Sequence, residues 1–232
     1  MQRIKETMED ISQLQEKENS RGLMQMLANG RPPLTEEERI TVEEKIKEME
    51  EEEGRYRESK INTSIRDFIG IHYLKNFVES KIRDKGKLDK KIGEMLEVGR
   101  GLIILGDIGV GKTMDLVYIF KRICSEQKDY EEIPISYYFM PTLFKKLHQG
   151  EEATLRKFVM LDDWGREYAE PFALSQFEAL IEKLYSREIT LIITTNLTKE
   201  QFINREGWIR ITDRVREMCA TLEISGNSMR HG

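Results

Sequence analysis

Three glycines, a lysine and a threonine lie close together between an apolar run and a helix-like stretch, in the segment LGDIGVGKTM. The segment fits G-x-x-x-x-G-K-[ST], in which glycines let backbone N–H groups face phosphates at a helix N-terminus. Lys112 can then reach the β- and γ-phosphates of a nucleotide, and the Thr113 hydroxyl can ligate Mg²⁺. An ordinary glycine-rich turn is the alternative. The candidate phosphate site consists of Gly106, Asp107, Ile108, Gly109, Val110, Gly111, Lys112, Thr113 and Met114.

A pair of carboxylates follows another apolar run, in the segment FVMLDDW. Four apolar residues predict a buried strand, and the carboxyl ends of strands in open α/β sheets are where ligands bind. Asp162 could hold Mg²⁺ through its water shell, and Asp163 could orient and deprotonate an attacking water. An apolar-Asp-Asp string alone is a weak signal, but a phosphate loop upstream makes it a strong one.

Two further groups are candidates for the same site. Asn196 ends the run LIITTN and would place a neutral amide beside the γ-phosphate; capping the helix that starts near Lys199 is an equally good interpretation. Arg210 and Arg214 are four residues apart, so on a helix they share one face. Surface arginines are common, and their spacing alone does not assign them a role.

The elements that must position these residues alternate along the chain. From Gly99 onward, five short apolar runs (GLIIL, ISYYFM, FVMLD, TLIITT and TLEIS) are separated by helical patterns. Strands alternating with helices predict a parallel sheet covered on both faces. Before this core, one helix is predicted through Leu74, Phe77, Val78 and Ile82, and another through Leu88, Ile92, Met95 and Leu96.

Composition narrows the class of protein. The 232 residues contain no apolar run long enough to span a bilayer, no secretory signal at the start, and no histidine–cysteine cluster with zinc spacing. Cys124 and Cys219 lie in apolar contexts and are expected to be buried thiols. We therefore expect a soluble cytoplasmic protein.

Charge is unevenly distributed between the two parts of the chain. Residues 1–60 carry 11 of the 37 basic residues and 16 of the 42 acidic ones, whereas the other 26 basic and 26 acidic residues balance. The chain as a whole is therefore not a basic nucleic-acid binder. The N-terminal part reads as helices with a thin apolar stripe, including Ile40, Ile46 and Met49. Such a region is either a solvated extension or a surface that docks on a partner helix.

The order of the motifs carries a resemblance. GDIGVGKT, then VMLDDWG, IITTN, RITDRV and a closing GNSMR resembles the helicase-loader branch of AAA+ ATPases, which contains DnaC-like replication proteins and IstB-like transposition helper ATPases. The resemblance covers roughly residues 55–232. It implies that Lys112 and Thr113 belong to the Walker A motif, Asp162 and Asp163 to Walker B, and Asn196 to sensor 1. It also implies that Arg214 is the arginine finger and Arg230 the sensor 2 arginine, with Arg210 as a second interface candidate.

The resemblance sets the expected fold and function. The fold is an α/β three-layer AAA+ domain with a five-stranded parallel sheet at residues 61–232, its core beginning near residue 99. A helical partner-binding region at residues 1–60 precedes it. The implied activity is ATP hydrolysis with Mg²⁺, in an oligomer that loads a replicative helicase and touches single-stranded DNA. The alternatives are an IstB-like helper that assembles on duplex DNA and recruits a transposase, and a soluble nucleotide kinase.

Overall fold

The computed structural model describes residues 36–127 and 132–229 of the chain. The apolar stripe expected in the first 35 residues and Arg230 lie outside these ranges. The chain divides into two compact units between Glu58 and Ser59. Residues 36–58 are helical, and the sheet and its covering helices belong to the second unit.

Helices and strands alternate as the sequence pattern predicts. The described helices are α1 (Glu36–Ile65), α2 (Ile71–Lys75), α3 (Lys85–Val98), α4 (Lys112–Glu126), α5 (Met140–His148), α6 (Pro171–Ser186), α7 (Lys199–Ile203) and α8 (Ile209–Met218). The strands are β1 (Gly101–Gly106), β2 (Ile135–Phe139), β3 (Phe158–Trp164), β4 (Thr190–Thr195) and β5 (Cys219–Ile224). A π-helical turn, Arg66–Gly70, joins α1 to α2, and a 3₁₀ turn spans Glu79–Lys81.

All five strands run parallel in the order β2-β3-β4-β1-β5. The strand that leads into the phosphate loop, β1, therefore lies between β4 and β5, and β3 lies next to β4. The carboxyl ends of β1, β3 and β4 meet at one edge of the sheet. The phosphate loop, the pair Asp162 and Asp163, and Asn196 lie at these three ends, so the topology brings them together.

Alternate strand residues face two separate cores. Ile104 and Met160 pack with Leu116 and other residues of α1, α3 and α4 on one face. Ile103 and Val159 pack with residues of α5, α6, α7 and α8 on the other face. Successive side chains of a strand point to opposite faces, so these apolar runs bury both sides of the sheet. The predicted three-layer α/β fold is confirmed.

The prediction of one helix through Leu74, Phe77, Val78 and Ile82 is wrong. Helix α2 ends at Lys75, where the Asn76 side chain donates to the His72 carbonyl at 2.7 Å and competes with a further helical turn. Val78 and Ile82 have extended backbones. Ile82 is still buried in the core, so an irregular segment produced the apolar spacing that suggested a helix.

Two smaller observations complete the fold. Both cysteines are buried thiols, as expected, and they lie in different cores, Cys124 on one face of the sheet and Cys219 on the other. Within the described part of the chain, no helix combines the length and the apolar character that a membrane span requires.

Two glycines provide a test of how tightly β1 is packed. A Cβ atom at Gly101 would lie 2.2 Å from the Leu191 carbonyl oxygen, whereas a Cβ atom at Gly93 in α3 would meet nothing within 4 Å. We expect Gly101→Ala to lower the free energy of unfolding by about 1–3 kcal/mol, the range for overpacking. Gly93→Ala should raise it by up to about 1 kcal/mol because alanine favours the helix. Denaturant titration measures both, and a neutral Gly101→Ala would contradict the close packing.

Candidate functional site

The phosphate loop connects the buried end of β1 to the first turn of α4. Gly109 and Gly111 have φ angles of +86° and +107°, a region that glycine adopts without strain. Gly111 directly precedes α4, so the N-terminus of that helix opens onto the loop. Backbone N–H groups at a helix N-terminus favour anions. The loop therefore has the conformation that its sequence motif requires.

Lys112 places its ammonium group at the centre of the site. Nζ donates to the carbonyls of Gly106 and Asp107 at 2.7 and 2.8 Å, and to Asn196 Oδ1 at 2.6 Å. Burial lowers the pKa of Lys112, and the negative charges of Asp163 and Asp162 oppose this shift. A nucleotide phosphate would supply a charged acceptor in place of these neutral oxygens.

Asp162 is almost completely buried, with 5% of its surface exposed, and three hydroxyl groups surround it. Thr194 donates to Oδ1, Tyr137 donates to Oδ2 at 2.8 Å, and Thr113 donates to Oδ2 at 3.4 Å. The pKa of Asp162 is raised, because the effect of burial outweighs that of the hydrogen bonds from these hydroxyls, which lower it. The carboxylate is thus held in one orientation beside the phosphate loop.

Asp163 occupies a bulge where β3 shifts register against β4. Its φ angle of +64° is left-handed, and its backbone N–H donates to Thr194 Oγ1 at 3.0 Å. Its carboxylate accepts from Asn196 Nδ2 at 2.7 Å and from Arg166 Nη1 at 2.8 Å. The bulge turns the side chain into the cleft instead of into the core behind the strand.

Asn196 links the lysine to the second aspartate. Its oxygen accepts from Lys112 and its amide nitrogen donates to Asp163, so one side chain spans both groups. The alternative role as a helix cap is wrong, because Thr198 caps α7 in a reciprocal capping box with Gln201. The Asn196 amide therefore bridges the ammonium group of Lys112 and the carboxylate of Asp163.

A cleft of about 1160 Å³ opens above these groups. The phosphate loop and the ends of β3 and β4 form its floor. One wall comes from the segment between residues 68 and 82, which supplies Phe68, Tyr73 and Val78, and Met229 lies beside the loop. Apolar and aromatic walls with a few convergent polar groups are typical of nucleotide-sized ligand sites.

The residues present fit a magnesium nucleotide. No group of three or more histidine, cysteine, aspartate or glutamate side chains that could hold a metal occurs among the described residues. Mg²⁺ does not require such a cage, because it is usually held by one or two protein oxygens plus phosphates and waters. The Thr113 hydroxyl would supply one such oxygen and Asp162 would hold a water of the ion, and the two side chains lie 3.4 Å apart.

The arginines predicted for a subunit interface lie elsewhere. Arg214 on α8 pairs with Glu182 at 3.2 Å and stacks over the Tyr185 ring, and Arg210 pairs with Glu178 at 3.6 Å. Neither is among the residues that line the cleft. The structure therefore does not bring them to the phosphate loop of their own chain.

Sequence reasoning missed several contributors to the site. Tyr137, Thr194 and Arg166 contact the two aspartates, and the segment between residues 68 and 82 forms a wall. Thr194 precedes Asn196 at the same strand end, and Arg166 is three residues from Asp163, so local spacing offered a signal for both. Tyr137 depends on the register between β2 and β3, which no local pattern specifies.

The C-terminal described residues pack against the phosphate loop. The Met229 N–H donates to the Gly109 carbonyl at 2.8 Å, and a Cβ atom at Gly109 would collide with Ser228. Arg83 donates to the backbone carbonyls of Ser225 and Asn227 from the segment that borders the cleft. The loop is therefore braced by residues more than a hundred positions away.

A buried ion pair fixes the turn that follows the two aspartates. Glu167, whose side chain has no exposed surface, accepts from the Gly165 N–H at 2.8 Å and pairs with Arg205. The Arg205 guanidinium lies 3.9 Å from the centre of the Trp208 ring, and Trp208 is the residue immediately before α8. The turn after β3 and the start of α8 are thereby held together.

The fold and this site together define an α/β three-layer domain with a G-x-x-x-x-G-K-T loop at the carboxyl edge of its sheet. No protein-family model matches the chain, and no curated protein matches it. Among solved structures, DnaI is similar at 20% sequence identity and a TM-score of 0.52, over 62% of this chain and 86% of DnaI. The DnaC helicase loader is similar at 23% sequence identity and a TM-score of 0.48, over 60% of this chain and 86% of DnaC. AMPPCP-bound DnaA from Aquifex aeolicus is similar at 16% sequence identity and a TM-score of 0.49, over 65% of this chain and 49% of DnaA.

The likeness to DnaI shows the fold. The resemblance to the DnaC/IstB-like branch of AAA+ ATPases, first carried by the order of the motifs, is thus confirmed at the level of fold. The roles of the individual site residues rest on the geometry described above.

The Glu167–Arg205 pair can be tested against an exposed pair of the same kind. Arg205→Ala would leave a buried carboxylate without its partner, so we expect the free energy of unfolding to fall by about 3–5 kcal/mol. Arg210, which pairs with Glu178, has a side chain that is 88% exposed. Arg210→Ala should therefore change the free energy of unfolding by no more than about 1 kcal/mol. Denaturant titration compares them, and equal losses would contradict a special role for the buried pair.

Proposed function

We propose that this protein is an ATP-hydrolysing AAA+ ATPase that acts as a loader of a replicative helicase. The observation that supports the ATPase activity most is the Asn196 amide, which spans Lys112 Nζ and Asp163 beside the Asp162–Thr113 pair. This arrangement brings together a phosphate-binding cation, a sensor of its ligand and a base. Each of them comes from a different strand end.

The proposed binding step uses the loop and the cleft wall. The loop N–H groups and Lys112 bind the β- and γ-phosphates of ATP, and the apolar wall that includes Phe68 and Tyr73 accepts the base. The Thr113 oxygen would bind Mg²⁺ and Asp162 would hold it through its water shell, and the ion would neutralise charge on the phosphates. The Thr113 hydroxyl donates a hydrogen bond to Asp162, so a lone pair of the Thr113 oxygen is available to the metal.

The proposed chemical step uses Asp163 as general base. Its carboxylate lies at the cleft, where it can take a proton from a water that attacks the γ-phosphate. Asn196 orients this carboxylate through its amide nitrogen and can turn its oxygen toward the water or the phosphate once Lys112 has bound phosphate. The ion pair between Asp163 and the exposed Arg166 must break before Asp163 can take this proton.

Assembly completes the proposed site. Arg214, with Arg210 on the same helix, would reach the γ-phosphate bound by a neighbouring copy, and Arg230 would act as the sensor 2 arginine. The position of Arg214 supports a role in trans, since it lies outside its own chain's cleft. Its pairing with Glu182 and Glu217 is surface-exposed and weak enough to exchange for a phosphate.

The partners we propose are a hexameric replicative helicase and single-stranded DNA. The support is the fold shared with DnaI and the helical, acid-rich stretch at residues 36–58, in which no described side chain is buried within the chain. Such a helix gains stability when it docks on another protein.

An IstB-like helper with a transposase partner remains the second candidate. Co-purification with a helicase or with a transposase separates the two, and phosphate transfer to an acceptor nucleotide would indicate a kinase.

Binding and chemistry can be separated with two variants. Lys112→Ala should lose most of its affinity for a fluorescent ATP analogue, because the charged phosphate contact is gone. Asp163→Asn should bind the analogue normally, while its turnover falls by roughly 10²–10⁴-fold because the base is lost. Each variant is the other's control. Unchanged binding by Lys112→Ala, or wild-type hydrolysis by Asp163→Asn in a partner-stimulated assay, would overturn the respective assignment.

The arginine finger can be tested by mixing. Arg214→Ala should bind ATP but hydrolyse it about 10³–10⁵-fold more slowly, because transition-state charge loses its partner. Mixing it with Lys112→Ala should restore activity, since one variant supplies an intact nucleotide site and the other an intact finger. Arg216→Ala, an exposed arginine on the same helix, is the matched control and should behave as wild type. No recovery in demonstrated mixed oligomers would show that Arg214 does not act in trans.

A further inference from the structure

The least expected contact in the site is a tyrosine hydroxyl on the first aspartate. Tyr137 lies near the end of β2, where the parallel register pairs the following residue, Tyr138, with Leu161, and Phe139 with Asp162. From this position its hydroxyl donates to Asp162 Oδ2 at 2.8 Å and also lines the cleft. The resemblance to helicase loaders gave this residue no role.

The chemistry of the carboxylate explains what this donor can do. An ionised carboxylate has about four acceptor positions. Thr194 uses one on Oδ1, and Tyr137 and Thr113 use two on Oδ2, although the Thr113 contact is long at 3.4 Å. One position on Oδ1 is left to accept from a water of a bound Mg²⁺. Tyr137 therefore helps to determine which lone pair faces the metal site.

The tyrosine is suited to a fixed role. Its ring packs against the apolar core on the α4 side of the sheet, so the hydroxyl cannot swing away without moving the strand. A tyrosine hydroxyl, with an ordinary pKa of about 10, is an O–H donor at neutral pH. At 2.8 Å from Asp162 Oδ2, this donor is used by the carboxylate.

We propose that Tyr137 is a positioning residue for magnesium: it holds Asp162 in the orientation that receives the water shell of Mg²⁺. Tyr137 does not touch the nucleotide in this role and acts through Asp162. The proposal rests on the proposed function, because it presupposes a magnesium nucleotide at Lys112 and Thr113. It adds a residue from the edge strand β2 to a site otherwise built from β1, β3 and β4.

The neighbouring tyrosine is a matched control. Tyr138 lies on the same strand and points to the opposite face, where its hydroxyl donates to the Thr154 carbonyl at 2.7 Å. Tyr137→Phe and Tyr138→Phe each remove one phenol hydroxyl and one hydrogen bond from β2. They differ in that only the first bond ends on Asp162.

The experiment measures binding of a fluorescent ATP analogue to the full-length protein as Mg²⁺ is titrated, with a parallel series in EDTA. We expect Tyr137→Phe to raise the Mg²⁺ concentration for half-maximal binding about tenfold, the size of one lost hydrogen bond to a charged group. Its binding in EDTA should equal that of the wild type. Tyr138→Phe should match the wild type in both series, and thermal melts of both variants report any loss of folding.

The outcomes separate the two proposals. A wild-type protein that fails to bind the analogue, or binds it without any effect of Mg²⁺, would overturn the proposed function itself. A wild-type protein that shows the Mg²⁺ effect, with an unchanged titration for Tyr137→Phe, would overturn only the role of Tyr137. Equal shifts in both tyrosine variants would also overturn it, because they would indicate a general effect on the strand.

Discussion

The site depends on two buried charges of opposite sign at the carboxyl edge of the sheet. Lys112 is 7% exposed and Asp162 is 5% exposed. An unpaired ion at such depth costs on the order of several kcal/mol, so each must be compensated by hydrogen bonds or by charge. Lys112 is compensated by three oxygens and Asp162 by three hydroxyls. The chain arranges four strand ends around these two groups, and this arrangement leaves the phosphate loop open to a ligand.

Lys112 is compensated by neutral oxygens alone. Its acceptors are neutral carbonyls, and burial still lowers its pKa. A phosphate oxygen is a charged acceptor and makes a stronger hydrogen bond with an ammonium than a carbonyl does. A phosphate bound as we propose would therefore replace adequate contacts at this one atom with stronger ones.

Sequence reasoning found the parts of the site that depend on local spacing. The phosphate loop is one turn of chain, so its residues are fixed relative to one another by eight positions of sequence. The contacts of Asp162 with Tyr137 and Thr194 arise from the strand order β2-β3-β4-β1-β5, which places β2 and β4 on either side of β3. Local periodicity does not encode this order. The helix predicted through Leu74 and Ile82 failed for the same reason, because tertiary packing is not visible in local spacing. Apolar residues of an irregular segment can pack into one core at the spacing of a helix.

A continuous path of contacts runs from the phosphate loop to the face of α8. Asn196 connects Lys112 to Asp163, and the bulge at Asp163 leads directly into the turn at Gly165. Glu167 holds that turn and binds Arg205, whose guanidinium covers Trp208 at the start of α8. Trp208 also packs against Trp164, the last residue of β3, with ring centres 5.4 Å apart. A change in what Lys112 binds would alter the donor available to the Asn196 oxygen, and the next contact of Asn196 is with Asp163 at this turn. This turn is joined to α8 by a buried ion pair and by the contact of Arg205 with the Trp208 ring. The phosphate loop and the helix that carries Arg214 are therefore connected through side chains that are hydrogen-bonded or packed at every step.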